Sequence, residues 1–166
     1  MIRKERPSDR DAVRALNTRA FGRAAEADLV DALRQAGRAV IALVAEQESE
    51  VGGHILFSAV ALDARPDRHG LGLAPMAVDP EHQRRGIGTR LVEAGLGEAR
   101  AGGFDFVVVL GHPAYYPRFG FAPASRFRLR SEYAVPDEVF MALPLWPGAL
   151  DGAEGVVRYA PEFAMV

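Results

Sequence analysis

The stretch Met76-Ala77-Val78-Asp79-Pro80-Glu81-His82-Gln83-Arg84-Arg85-Gly86-Ile87-Gly88-Thr89-Arg90 decides how the chain is read. It opens with the end of an apolar run, Leu71 to Val78, that predicts a buried strand closed by Pro80. Pro75 within that run has no N–H to give, which implies an edge, a bulge or a break in the ladder. Two arginines follow, and then glycines at the head of a helix predicted from Gly86 to Ala101. Ile87, Leu91, Gly95 and Ala99 fall on one face of it, with Arg90, Glu93 and Arg100 exposed, and Gly102-Gly103 ends it. Phe104 to Leu110 is nearly continuous and β-branched, as a strand buried on both faces should be. Strand, helix and strand in that order imply a parallel pair joined by a right-handed crossover.

The turn between strand and helix has the chemistry of an anion site. Free N–H groups and the macrodipole at a helix N-terminus attract negative charge. Gly86 and Gly88 let a ligand approach the backbone closely. Arg84 and Arg85 add positive charge at the same place, so the predicted ligand is a di- or polyphosphate. It is not held by a Walker loop, which needs a lysine after its last glycine. A dinucleotide fingerprint fails as well, because Gly86-Ile87-Gly88 runs on into Thr89, Arg90 and Leu91 with no third glycine or alanine.

Working outward, Ile2 to Arg6 reads as a short first strand closed by Pro7. Ser8 and Asp11 have capping-box spacing, and Val13, Leu16, Asn17 and Ala20 follow at helical intervals. A second helix is predicted from about Ala25 to Ala36, with Leu29, Val30 and Leu33 on one face and Gly37 as its stop. Val40 to Glu46 and Val51 to Leu62 read as a hairpin, and residues 63–69 as a polar loop. A short helix is expected over Pro113 to Phe119. Beyond it, Val139 to Leu145 and Gly155 to Tyr159 are strand candidates in a proline-containing, irregular tail.

Composition narrows the function. The 166 residues suit one domain and bury roughly 70% of the unfolded surface. A formal charge of −2 creates no global field for nucleic acid. The absence of cysteine removes disulfides, thiolate metal sites and any cysteine nucleophile. His54, His69, His82 and His112 are scattered, so no metal is expected. The charged N-terminus is no signal peptide, and the longest apolar run, Ala39 to Ala45, falls far short of the ~20 residues of a membrane span. A cytoplasmic protein is expected.

With these residues in view, the chain resembles the GNAT superfamily of N-acetyltransferases. Gln83-Arg84-Arg85-Gly86-Ile87-Gly88 matches the family's Q/R-x-x-G-x-G/A motif, in its setting between an apolar strand and a helix. Tyr116-Pro117-Arg118-Phe119-Gly120-Phe121 resembles the Y-x-x-x-G-F that follows the family's fifth strand. The resemblance is strongest over residues 71–121 and rests on element order alone before that. The segment 122–166 is an extension with no motif in it. The resemblance implies a single GNAT domain over 1–166, of mixed α/β fold: a mostly antiparallel sheet flanked by helices, with one parallel pair splayed where CoA enters.

It also implies a site. Met76, Ala77 and Val78 would bond the pantetheine arm, and Arg84, Arg85, Gly86, Ile87, Gly88 and Thr89 would hold the pyrophosphate of acetyl-CoA, the cosubstrate. Tyr116, not its neighbour Tyr115, is in register with the tyrosine that protonates the departing thiolate. The implied acceptor is an amine on a small molecule or peptide, with no nucleic acid or membrane partner and a homodimer left open. This chain departs from the pattern in having Gly111-His112-Pro113-Ala114 where many members place an asparagine, and in having no glutamate on the fifth strand. His112, Glu26 and Asp28 are further candidates that read as structural, and Phe21, Phe57 and Trp146 read as core or pocket wall. The rival reading is a non-catalytic CoA-binding protein, and a phosphate-binding RNA-associated domain is a third.

Overall fold

The computed structural model describes all 166 residues, which fall into two compact units. The first comprises Met1–Ser58, Ala74–Glu98 and Pro161–Val166, and the second Ala59–Leu73 and Ala99–Ala160. The secondary structure is mixed α/β: a mixed sheet and three α-helices.

In the first unit, β1 (Ile2–Lys4) pairs antiparallel with β2 (Ala39–Gln47), and β2 with the first part of β3 (Glu50–Leu62). The β2–β3 hairpin closes through Glu48 and Ser49, at φ 50° and 68°. Two consecutive left-handed residues match the twist of the flanking strands. The helix α1 spans Arg10–Phe21 and stops at Gly22, whose φ of 70° and N–H bond to the Thr18 carbonyl end the ladder. A second helix, α2, spans Ala25–Gln35. Its Leu29, Val30 and Leu33 and the Val13 and Leu16 of α1 are almost wholly buried, as their spacing predicts.

The predicted Ser8–Asp11 capping box does not form. Pro7 fixes φ for a helical turn at once, so a short 3-10 turn, Pro7–Asp9, precedes α1. Asp9 then accepts the Arg6 N–H at 2.7 Å and receives both Arg3 nitrogens, at 2.8 and 2.9 Å. Those bonds from Arg3 hold its carboxyl down at about 2.

The helix α3 (Ile87–Ala101) lies tight on β3. A Cβ added to Gly53 would come within 2.8 Å of Ile87 and 2.9 Å of Leu91, and one added to Gly95 within 2.3 Å of the Phe57 ring. Alternation along β3 then turns His54, Leu56 and Ser58 to the opposite face. There His54, fully buried, sits 3.4 Å from Glu5, which Arg34 of α2 also binds.

In the second unit the first residues of β4 (Gly70–Val78) pair parallel with β5 (Phe106–Leu110), in register from Gly70↔Phe106 to Gly72↔Val108. Phe106, Val107 and Val108 are fully buried, as the unbroken apolar run implies. On its other side β5 meets β8 (Phe140–Pro144) antiparallel, and β8 meets β6 (Ala122–Pro123). Strand β9 (Gly155–Arg158) pairs with Ala61–Leu62 of β3, and β7 (Leu129–Ser131) with β9. That last pair is parallel, a second parallel pairing that the sequence did not suggest.

Asp105 pins the start of β5. Its carboxylate accepts the His69 N–H at 2.7 Å and the Trp146 indole N–H at 3.0 Å, while its backbone bonds His69 and Leu145. Trp146, read from sequence as core or pocket wall, is 47% exposed, because this bond draws its indole to the surface. Phe21 is likewise exposed, and only Phe57 of the three aromatics belongs to the core. Of the readings that Pro75 allowed, the break in the ladder holds: the pairing of β4 with β5 runs only from Gly70 to Gly72 and stops short of Pro75, whose bond to Ala74 is cis.

Candidate functional site

The strand β4 delivers Met76, Ala77 and Val78 to the loop, with Ala77 buried and its two neighbours half-buried. Asp79 takes over where the strand ends. Its N–H donates to the Gly52 carbonyl at 2.9 Å and its carbonyl accepts the His82 N–H at 2.8 Å. Its Oδ1 accepts the Glu81 N–H at 3.0 Å, capping the 3-10 turn Pro80–His82, and its Oδ2 accepts from Arg19 of α1 at 2.8 Å. These bonds, the Glu81 N–H first and Arg19 after it, lower the pKa of the Asp79 carboxyl. Gln83 closes the turn, its amide donating to the Val78 carbonyl at 3.3 Å.

Two residues of the loop are left-handed: Arg84 at φ 68° and Gly86 at φ 77°. Alternation of this kind turns successive N–H groups toward one concave side, an anion-binding nest. Glycine adopts that backbone freely, whereas for arginine it costs ~1–3 kcal/mol. The helix then starts at Ile87, one residue later than predicted, with the Arg90 N–H donating to the Gly86 carbonyl at 3.1 Å. The N–H groups of Gly86, Ile87 and Gly88 precede that first bond and meet no carbonyl within the helix. Arg84 and Arg85 are exposed and make no ion pair, so their charge is available to a ligand. Ile87 is buried and anchors the helix, while Gly88 and Thr89 are half-buried in its first turn. The residues from Arg84 to Thr89 thus form one continuous turn at the head of α3, with backbone N–H groups and two arginines able to meet an anion.

Tyr116 belongs to the second unit and opens the 3-10 turn Tyr116–Phe119, shorter than the helix predicted there. It is 7% exposed. Its ring packs edge-on against Phe121 (centroids 5.7 Å apart) and Tyr115 (5.1 Å). It also fills the space beside Gly111, where an added Cβ would lie 2.3 Å from it. Burial pushes its phenol up to about 12, so it stays protonated throughout the neutral range. Tyr115 is more open, and Arg118 lies 4.4 Å over its ring. The neighbours therefore occupy different environments, and the buried one is the residue that the motif register selects.

Of the other candidates, the two carboxylates are held in ion pairs, whereas the His112 imidazole is not. His112 is exposed, and its carbonyl accepts the Tyr115 N–H at 3.0 Å, which shapes the turn. Glu26, buried in the first turn of α2, receives Arg23 at 2.6 and 2.9 Å. Asp28 pairs with Arg14 at 2.7 Å. No group of three or more His, Asp or Glu side chains is placed to hold a metal, and no helix is long and apolar enough to cross a membrane. Sequence reasoning missed Asp79 and Arg19. An aspartate before a proline is a signature of turn initiation that points to the first, but no local signal marks the second.

The fold recurs in proteins named as acetyltransferases. The uncharacterized N-acetyltransferase YhbS of Escherichia coli K12 is 38% identical over 164 residues, 98% of each chain. A crystal structure of YhbS from Escherichia coli in complex with CoA has a TM-score of 0.95 at 37% identity, covering 99% of this chain and 91% of that one. A GNAT family acetyltransferase from Brucella melitensis in complex with acetyl-CoA has a TM-score of 0.83 at 35% identity, covering 98% and 97%. A model of the acetyltransferase (GNAT) family matches residues 10–121. The chain belongs to the GNAT acetyltransferase family and is an acyltransferase.

Proposed function

We propose that the protein transfers the acetyl group of acetyl-CoA to an amine on a small molecule or peptide, by direct attack and in the cytoplasm. The observation that carries this is the left-handed Arg84–Gly86 loop running into the open N-terminus of α3, an anion cradle placed directly after β4. The solved relatives named above hold CoA and acetyl-CoA, which supports the same ligand here. In the proposal, backbone groups of Met76, Ala77 and Val78 bond the pantetheine amides. Arg84, Arg85 and the N–H groups from Gly86 to Thr89 bind the pyrophosphate.

The deprotonated amine attacks the thioester carbonyl carbon, and a backbone N–H of the Met76–Val78 segment stabilises the oxyanion. The C–S bond then breaks. Tyr116 donates its phenolic proton to the departing sulfur and is reprotonated from solvent, while the attacking nitrogen gives up its proton. With no cysteine in the chain, an acyl-cysteine intermediate is excluded. The test is release of free CoA thiol from acetyl-CoA across a panel of amines. Acceptor-dependent release is the expected result. Binding of CoA with no release for any amine class would favour the non-catalytic reading, and tighter binding of ATP than of CoA would overturn the loop assignment.

A further inference from the structure

We infer that Arg19 is a positioning residue for the CoA loop, acting through Asp79. This rests on the CoA reading of the loop given above. Asp79 joins three pieces of one unit. Its N–H is held by Gly52 of β3, its carbonyl and Oδ1 form the 3-10 turn with His82 and Glu81, and its Oδ2 is held by Arg19. The first two sets of bonds fix where the strand ends and how tightly the chain turns. The Arg19 bond is the one that ties the turn to a helix outside the loop and the adjoining hairpin.

Arg19 is well placed for that work. It lies in the last turn of α1, where the helix dipole favours a cation, and the left-handed Gly22 fixes that end of the helix. Its partner carboxylate is 13% exposed while its own side chain is 50% exposed. The contact is thus a rigid acceptor gripped by a long arm reaching over the surface. Five residues further along, Arg84 holds a backbone conformation that disfavours a side chain, so the loop needs outside support to keep its shape. Without Arg19 the capping bond to Glu81 survives, and what is lost is the orientation of the nest.

The role predicts an effect on CoA affinity without one on chemistry. Removing a half-exposed ion pair changes an equilibrium by up to ~5-fold. Arg19→Ala should therefore raise the CoA dissociation constant about 3-fold, with turnover at saturating acetyl-CoA unchanged. Arg19→Lys should restore most of the affinity. Asp79→Asn keeps an oxygen for the Glu81 N–H but loses the charge, and in that background Arg19→Ala should add nothing. The loss should shrink as salt screens the pair. Arg84→Ala runs alongside as the reference for the loop itself. If Arg84→Ala weakens CoA binding and Arg19→Ala does not, the positioning role is refuted and the loop assignment stands. If Arg19→Ala and Asp79→Asn act additively, Arg19 works by another route and the inference fails. If neither Arg84→Ala nor Arg19→Ala alters CoA binding, the loop reading falls and this inference with it. A drop in turnover at saturation with affinity intact would also refute it.

Discussion

Two glycines of α3, Gly95 and Gly97, should respond oppositely to the same substitution. Both lie inside the helix, so alanine gains ~1 kcal/mol of helix propensity at either position. Gly97 is exposed with nothing within 4 Å of an added Cβ, and Gly97→Ala should keep the whole gain. At Gly95 the new Cβ would fall 2.3 and 2.6 Å from two carbons of the Phe57 ring. Ordinary carbon contacts begin near ~3.5 Å, so ring or helix must move by about 1 Å. Phe57 is fully buried against the sheet and cannot swing out, which puts the overpacking cost at ~1–3 kcal/mol. The propensity gain cancels between the two variants, so their difference isolates the packing cost. For a chain of this size 1 kcal/mol moves Tm by about 2–4 °C. Gly95→Ala should melt several degrees below Gly97→Ala, and the gap should narrow in a Phe57→Leu background, where the ring is gone. Thermal unfolding of the four proteins is the assay. Equal melting temperatures for the two single variants would mean that α3 does not sit on Phe57 as closely as described.

Tyr116→Phe should lower turnover by ~10²–10⁴-fold with CoA affinity nearly unchanged, and Tyr115→Phe should be close to neutral; steady-state rates and CoA titration decide, and the reverse pattern would place the register one residue off. Because burial raises the Tyr116 phenol to about 12, the rate should climb as the acceptor amine deprotonates and show no fall from this tyrosine below pH ~10, where an ordinary phenol ionises. Arg84→Ala and Arg85→Ala should each weaken CoA binding by roughly 1–3 kcal/mol, and Gly88→Asp should abolish it with the fold intact, all read by calorimetry. Asp9, held at about 2 in the folded chain, contributes stability that is present above the ordinary carboxylate range near ~4 and lost as pH falls from there toward 2. Asp9→Asn should remove about 2 kcal/mol at neutral pH and flatten acid unfolding across that window.

How far the sequence could be read depended on where the information lies. The strand at Phe106–Leu110 and the helix at Ile87–Ala101 announce themselves because burial imposes a long, regular pattern on their side chains. The β2–β3 hairpin was visible for the same reason, although its left-handed Glu48 and Ser49 were not, since neither is glycine or asparagine. Arg84 is the same case inside the candidate site. Two glycines advertised a special backbone, yet the left-handed residues are Arg84 and Gly86, and Gly88 lies within the helix. An arginine in that conformation is imposed by its surroundings, and no local preference signals it. Asp9 replaced Ser8 and Asp11 because its partner, Arg3, comes from the preceding strand. Strands β6 and β7, of two and three residues, are too short for any periodicity to show. The support of Arg19 for Asp79, across 60 positions of chain, belongs to tertiary structure alone.

The bond between Trp146 and Asp105 gives the protein a built-in optical probe. Trp146 is the sole tryptophan, so all indole emission arises from one place, where the segment after β8 meets the start of β5. Being about half in water already, the fluorophore will report less on burial than on the carboxylate next to it. Replacing Asp105 by asparagine keeps an acceptor oxygen for the indole N–H but removes the negative charge beside the ring, so the emission registers that junction. Asp105→Asn thus offers a spectral marker for one corner of the second unit, with no label attached to the chain.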